Sequence, residues 1–376
     1  MTSLSKLSSH LVSVVCLLTP LLCLAQPLQG EKRHPLVSFH VPGSQATYPM
    51  SINDAQTITG FYFSKSGVTS GFVRDVDGHI TTFDVPGGVA TIPVSIDAAG
   101  DVTGYYEVPV TGDILPQAPQ GFVRSADGTI ATFGNTINTA NSSSFWAQPV
   151  AINVAGEVIG NFPDVALASV AFLRSPAGDV SDFTLSDGAS YPTVATGLNA
   201  SGAIVGYTSS QSIDFAQGFL WDGQGPPPSP VSSAGVTTID VTGSTGTFPI
   251  GINADGAVVG CYSENDVYQD FVRDSDGVIT TLTLPGTAPN CVANATQGLY
   301  NVPFPSVILN DQGTITGYYT NAAKVPVSFV RLENGKFTTF DRRGSKQTIP
   351  TAINTDGVII GYFSQGREVV GFIREP

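Results

Sequence analysis

Residues 93–133 read PVSIDAAGDVTGYYEVPVTGDILPQAPQGFVRSADGTIATF. Four short runs rich in Val, Ile, Thr, Phe and Tyr stand in it: Pro93 to Asp97, Val102 to Tyr106, Gly121 to Arg124, and Thr129 to Phe133. β-Branched and aromatic residues bounded by Gly, Asp and Ser read as strands. Asp97-Ala98-Ala99-Gly100 joins the first pair and Ser125-Ala126-Asp127-Gly128 the second, both with the residues that tight hairpin turns require.

The head of this stretch recurs along the chain. Ile52-Asn53, Ile96-Asp97, Ile152-Asn153, Leu198-Asn199, Ile252-Asn253, Leu309-Asn310 and Ile353-Asn354 make seven copies, about 50 residues apart, each followed by a polar turn and an Ile/Val-Gly or Thr-Gly pair. Four antiparallel strands at such a period predict propeller blades, which bury their faces only by stacking on one another. The two ends of the chain fit the same scheme. Val37-Ser38-Phe39-His40-Val41-Pro42 matches the fourth-strand text Thr82-Phe83-Asp84-Val85-Pro86, and Gly371-Phe372-Ile373-Arg374 matches the third-strand text Gly71-Phe72-Val73-Arg74. Joined, they complete one blade and leave no sheet edge open. The expected fold is therefore all-β: a seven-bladed β-propeller of four-stranded antiparallel blades, closed by pairing of the N- and C-terminal strands. An open β-solenoid is the alternative, and the Pro-rich stretch Gly225 to Pro230 reads as a turn insertion.

The chain has 376 residues, with 41 Gly, 26 Pro, 41% hydrophobic and 12% charged residues, which suits a turn-rich β protein and excludes disorder. Thirty acidic against sixteen basic residues give a net charge of −14, which opposes docking on nucleic acid or an anionic membrane. Lys6 followed by the apolar run Leu11 to Ala25 predicts a signal peptide over residues 1–25, since the run is too short to span a bilayer. A short lead, 26–35, then precedes the propeller at 36–376, and no membrane span is expected after cleavage. Cys16 and Cys23 leave with the signal, so Cys261 and Cys291 are expected to form a disulfide in an oxidising compartment, or to persist as a pair of thiols.

The repeat text, Ile-Asn-x-x-Gly-x-Val-x-Gly followed by Gly121-Phe122-Val123-Arg124 or Ala171-Phe172-Leu173-Arg174, resembles the bacterial extracellular repeats called the HAF family. The resemblance covers nearly all of the chain after the signal. The His of the family name is replaced by Ser70, Gln120, Val170, Gln217 and Gln269. What the resemblance implies is a secreted or cell-surface protein; it carries over no catalytic residue.

Every first strand is expected to begin with proline, at Pro49, Pro93, Pro149, Pro192, Pro249, Pro305 and Pro350, since a strand start tolerates the missing N–H. The residues expected to line a central channel, Ser51, Ser95, Ala151, Gly197, Gly251, Ile308 and Ala352, offer almost no acid, base or nucleophile, so channel chemistry is not expected. Asp75-Val76-Asp77-Gly78 and Asp274-Ser275-Asp276-Gly277 lack the closing Glu of a calcium loop and read as hairpin turns. The recurring Arg74, Arg124, Arg174, Arg273, Arg331 and Arg374 read as blade-edge ion pairs with turn acids. No metal or cofactor is expected, and the patterns of zinc and serine hydrolases are missing.

Long, dissimilar connections (Val108 to Gln120, Gly134 to Gln148, Ser209 to Gln217, Pro285 to Phe304) are expected on one face, where ligands bind a rigid scaffold. The candidate ligand-binding residues there are Trp146, Phe145, Tyr300, Tyr268, Phe215, Asp113, Asp214, Asn265 and Asp266, because aromatic planes with carboxylates and amides between them suit a sugar or a peptide. Tyr48, Tyr191, Phe248 and Phe304 on the same face read as packing between blades. The expected role is recognition of a glycan or an extracellular protein by a monomer. The alternative is a secreted polysaccharide lyase or glycoside hydrolase using Asp113, Asp214 and Asp266 with a Tyr.

Overall fold

The computed structural model describes residues 35–109, 119–134, 147–162, 169–185, 192–209, 216–225, 227, 234–265, 267–288 and 306–376. Every regular element among them is a strand. After β1 (Leu36–Phe39) come β2 (Ser44–Ile52), β3 (Ile58–Ser64), β4 (Thr69–Arg74) and β5 (Ile80–Phe83), paired in that order and antiparallel. The pattern repeats in β6 (Ala90–Ile96), β7 (Val102–Glu107), β8 (Pro119–Arg124) and β9 (Ile130–Phe133), then in β10 (Gln148–Ile152), β11 (Val158–Phe162), β12 (Val170–Arg174) and β13 (Val180–Phe183). It continues through β14 (Thr193–Leu198), β15 (Ile204–Ser209), β16 (Ala216–Trp221) and β17 (Val236–Ile239), and through β18 (Gly246–Ile252), β19 (Val258–Glu264), β20 (Val267–Arg273) and β21 (Ile279–Thr281). β22 (Val307–Leu309), β23 (Ile315–Thr320), β24 (Pro326–Arg331) and β25 (Phe337–Phe340) form the next group, before β26 (Thr348–Ile353), β27 (Ile359–Gln365) and β28 (Glu368–Arg374). That last sheet takes its fourth strand from the start of the chain: Leu36 pairs with Arg374 and Phe39 with Gly371. The strand boundaries expected for residues 93–133 agree to within three residues.

One local device explains both the glycine and the proline of the repeat. Pro49 pairs with Gly60 and the ladder slips by one residue before Ser51; Pro93 and Gly104, Pro149 and Gly160, Pro249 and Gly260, and Pro350 and Gly361 repeat the arrangement. At a bulge one residue goes unpaired, so the missing proline N–H costs little. These prolines therefore sit inside their strands, not at the start: β2 begins five residues before Pro49. Pro192 precedes β14 and Ala195 takes the bulge position there, while Pro305 lies outside the described residues. The bulge pushes the first-strand carbonyl toward the second strand, and only a residue without Cβ fits opposite.

Turn acids close the hairpins. Asp75 Oδ1 accepts the His79 N–H at 2.8 Å and Asp274 Oδ1 the Val278 N–H at 2.8 Å, which confirms the hairpin reading of both Asp-x-Asp-Gly stretches. The recurring arginines are corrected. Among the described residues none pairs with a carboxylate; instead Arg74 lies over Phe39, Arg124 over Phe83, Arg174 over Phe133 and Arg374 over Phe340, at 5.0–5.2 Å. Each stacks on the fourth-strand Phe of the preceding sheet, so the contact ties neighbouring sheets together. Turn carboxylates are already engaged by backbone N–H groups, which leaves the ring face as the better partner. Arg124→Met should cost about 0.5–1 kcal/mol, and the loss should be nearly the same at low and high salt in urea unfolding. A loss that vanishes at high salt would point back to an ion pair.

The core lies between sheets. Tyr48 stacks on Phe61 with ring centroids 5.0 Å apart and meets Tyr362 edge-on at 5.0 Å, in a cluster that also holds Ile92, Tyr105 and Ile349. Residues of three consecutive sheets thus bury one another, at roughly 1.5–3 kcal/mol per large side chain.

Candidate functional site

The seven turns after the first strands all begin with the Asn or Asp of the repeat, and every one of these residues is buried. In each Asn turn described by side-chain bonds, Oδ1 accepts the N–H four residues on: Asn53 from Thr57 at 2.9 Å, Asn310 from Thr314 at 2.8 Å, Asn354 from Val358 at 2.9 Å. That leaves the amide Nδ2 free to reach the neighbouring turn. Asn153 donates to the carbonyl of Asn199 (3.2 Å), Asn199 to that of Asn253 (3.1 Å), and Asn253 to that of Asn310 (3.2 Å). Asn310 donates to Asn354 (2.8 Å), Asn354 to Asn53 (3.3 Å), and Asn53 to Asp97 (2.9 Å). Six amides therefore link seven turns, and the chain of bonds crosses from the last sheet to the first. Asp97 holds its own turn in the same way, Oδ1 accepting the Asp101 N–H at 2.8 Å, but has no amide N–H to pass on. Burial, with Asp101 adding like charge, raises the Asp97 carboxyl above the usual carboxylate range.

A cavity of about 200 Å³ opens beside these turns. Ile52, Ile96, Leu309 and Ile353 line it together with Asp54 and Asp311. Both acids bridge turns: Asp54 accepts from the Thr355 N–H (2.9 Å) and hydroxyl (3.1 Å), and Asp311 from the Ala254 N–H (2.8 Å). Exposed Asp255 and Asp356 stand on neighbouring turns outside the cavity lining. Ser51 Oγ accepts the Ile96 N–H (3.2 Å) and Ser95 Oγ the Ile152 N–H (3.3 Å), so these hydroxyls stitch first strands together.

Of the candidate ligand residues, Asn265 and Tyr268 are described, both on the hairpin joining β19 to β20. Asn265 is exposed at its tip with φ of 51°, the left-handed conformation Asn tolerates. Tyr268 is half-buried against a cluster holding Tyr207, Ala216, Phe248 and Cys261. Trp146, Phe145, Tyr300, Phe215, Asp113, Asp214 and Asp266 lie outside the described residues. Tyr48 and Phe248 are core residues, as read, while Tyr191 and Phe304 lie outside the described residues. Cys261 is buried in β19 and disulfide-bonded; Cys291, like the segment 1–34, is outside the described residues. The role of the repeated Asn as a link between turns was not read from the sequence, although its recurrence at one place was a usable signal.

No family model matches the sequence and no curated protein is similar to it. Solved structures are similar in fold. A catalytically inactive virginiamycin B lyase from Staphylococcus aureus with quinupristin has a TM-score of 0.54 at 14% identity, over 91% of this chain and 99% of its own. A streptogramin B lyase gives 0.54 at 13%, over 91% and 98%. YCF48 bound to D1 peptide gives 0.50 at 13%, over 94% and 100%. At these identities the likeness concerns architecture, and the chain has an all-β fold similar to that of β-propellers.

Proposed function

We propose that residues 36–376 form one closed seven-bladed propeller of the HAF-type repeat, exported by a signal peptide at 1–25, which acts as a monomeric binding module for a glycan or an extracellular protein. The amide links running from Asn153 through Asn354 to Asn53 and the pairing of β1 with β28 support closure. A Cys261–Cys291 bridge would close a loop of about 30 residues and add roughly 3–4 kcal/mol.

The observation that carries the reading is topological. Segments 110–118, 135–146, 163–168, 186–191, 210–215 and 289–305 are all flanked by strand ends at the same end of their sheets, opposite the Asn turns, and the β19–β20 hairpin tip lies at that end too. Asn265 and Tyr268 belong to that hairpin, and the other seven candidates fall within or next to segments that such strand ends flank, in connections whose length and composition vary while the strands do not.

The test is a glycan array on the purified protein lacking residues 1–25, with Trp146→Ala beside it and product analysis of any polysaccharide bound. Binding that falls tenfold or more in the variant, about 1.4 kcal/mol, without new chain ends supports a recognition module. New reducing or unsaturated ends would replace it with the lyase or hydrolase reading. Silence across the array, with capture of a protein ligand, would leave the protein-binding form alone.

A further inference from the structure

Asp270 stands in β20 where the other sheets carry Gly71, Gly121, Ala171, Gly218, Ser328 and Gly371. A Cβ on three of those glycines would meet the first strand of the following sheet: Gly71 faces Pro93 at 2.8 Å, Gly218 faces Pro249 at 2.7 Å and Gly371 faces Pro49 at 3.0 Å. The same register aims the Asp270 carboxyl at the boundary between the β18–β21 sheet and the β22–β25 sheet. Room for it comes from two further departures: Leu282 replaces the phenylalanine that abuts Gly71, and Val307 replaces the proline. Asp270 has no exposed surface, and among the described residues neither carboxyl oxygen has a hydrogen-bond partner. Across that boundary the Ser306 hydroxyl, just before β22, is also buried and unpartnered.

We propose that Asp270 makes this sheet-to-sheet boundary a pH-sensitive latch, packed when the carboxyl is neutral and loosened when it ionises. Burial pushes the carboxyl up to about 7. Among the described residues no cation pairs with it. Opposite it on β19 is Cys261, which is disulfide-bonded; Ser263 and Tyr268 share its face, Tyr262 and exposed Glu264 lie on the other, Arg273 lies over the turn end, and β21 and β22 bring no titratable side chain. The sign follows from the raised value. Below about pH 4 both folded and unfolded chains hold the proton and no penalty exists; it grows as the unfolded carboxyl ionises and is complete once pH passes about 7. A buried unpaired carboxylate costs far more than its acid, so the boundary itself opens before the whole fold does.

Hydrogen exchange of the full chain at pH 5.5 and 8.5, corrected for intrinsic rates, tests the latch with Asp270→Asn and Asp270→Ser. Amides of β20 and of β22–β23 should exchange about tenfold faster or more at the higher pH, those of β2–β4 should not, and both variants should abolish the rise. A wild-type chain without the local rise, or a variant that keeps it, overturns the proposal. Asp270→Ser copies the residue that Ser328 already places there, so one variant keeps a side chain the fold accepts.

Discussion

Gly104→Ala is expected to cost about 3 kcal/mol or more in urea unfolding, far beyond the effect of a methyl group added to an ordinary strand. A Cβ at Gly104 would lie 2.2 Å from the Ile92 carbonyl oxygen and 2.7 Å from Pro93 Cα. Both are backbone atoms, fixed by the bulge, so relief requires the first strand to move away from the second and from the neighbouring sheet packed on it. The glycine is needed for space and not for its dihedral angles, since its φ is not in the left-handed region. Gly43 separates the two causes. It has φ of 80° with nothing within 4 Å of its Cβ, so Gly43→Ala should pay only the left-handed conformation, about 1–2 kcal/mol. If Gly43→Ala proves the more damaging, the bulge does not constrain Gly104 as described. Gly60, Gly206 and Gly361, with Cβ positions 2.0–2.1 Å from carbonyl oxygens, should behave like Gly104.

The same glycine shows what could be read before the structure. Turn chemistry, strand alternation and the matching of Val37–Pro42 to a fourth strand are local signals, and each appeared where expected: β1 does pair with β28. The bulge is not local. It arises from two strands and the sheet behind them, so the text shows a proline near a strand and cannot show that it sits inside one. Arginine roles failed for a similar reason. Arg124 is close in sequence to Asp127 but lies over Phe83, some forty residues away, because sheets stack on their neighbours. Of the candidate site, Asn265 and Tyr268 fall on the hairpin joining β19 to β20, and the other seven residues lie outside the described ones. Asp270 was legible only as a break in a column of small residues, and only its burial gives the break a meaning.

The chain of asparagine amides makes the sharpest pair of predictions. Asn310→Ala removes a donor to the Asn354 carbonyl at 2.8 Å and an acceptor for the Thr314 and Gln312 N–H groups at 2.8 and 3.1 Å, all at a buried turn, and should cost about 2–4 kcal/mol. Asn310→Asp keeps the acceptor and sets an oxygen against the Asn354 carbonyl, so about 2 kcal/mol should be lost at neutral pH and less in acid, where the carboxyl can donate its proton. Asp97 is the natural form of that substitution, with its Oδ1 in the turn and no amide N–H to offer the next one. Asp97→Asn should therefore stabilise the protein by about 1 kcal/mol at pH 7. Its raised folded pKa sets the pH dependence: the wild-type penalty is complete above that value and falls away as pH drops from it toward that of the unfolded carboxyl, so the two chains should converge in acid. Urea midpoints for both at pH 7 and pH 4 decide the matter. An Asp97→Asn chain that is weaker at pH 7, or whose advantage grows in acid, would mean that the seventh turn is held by something other than the link its six counterparts use.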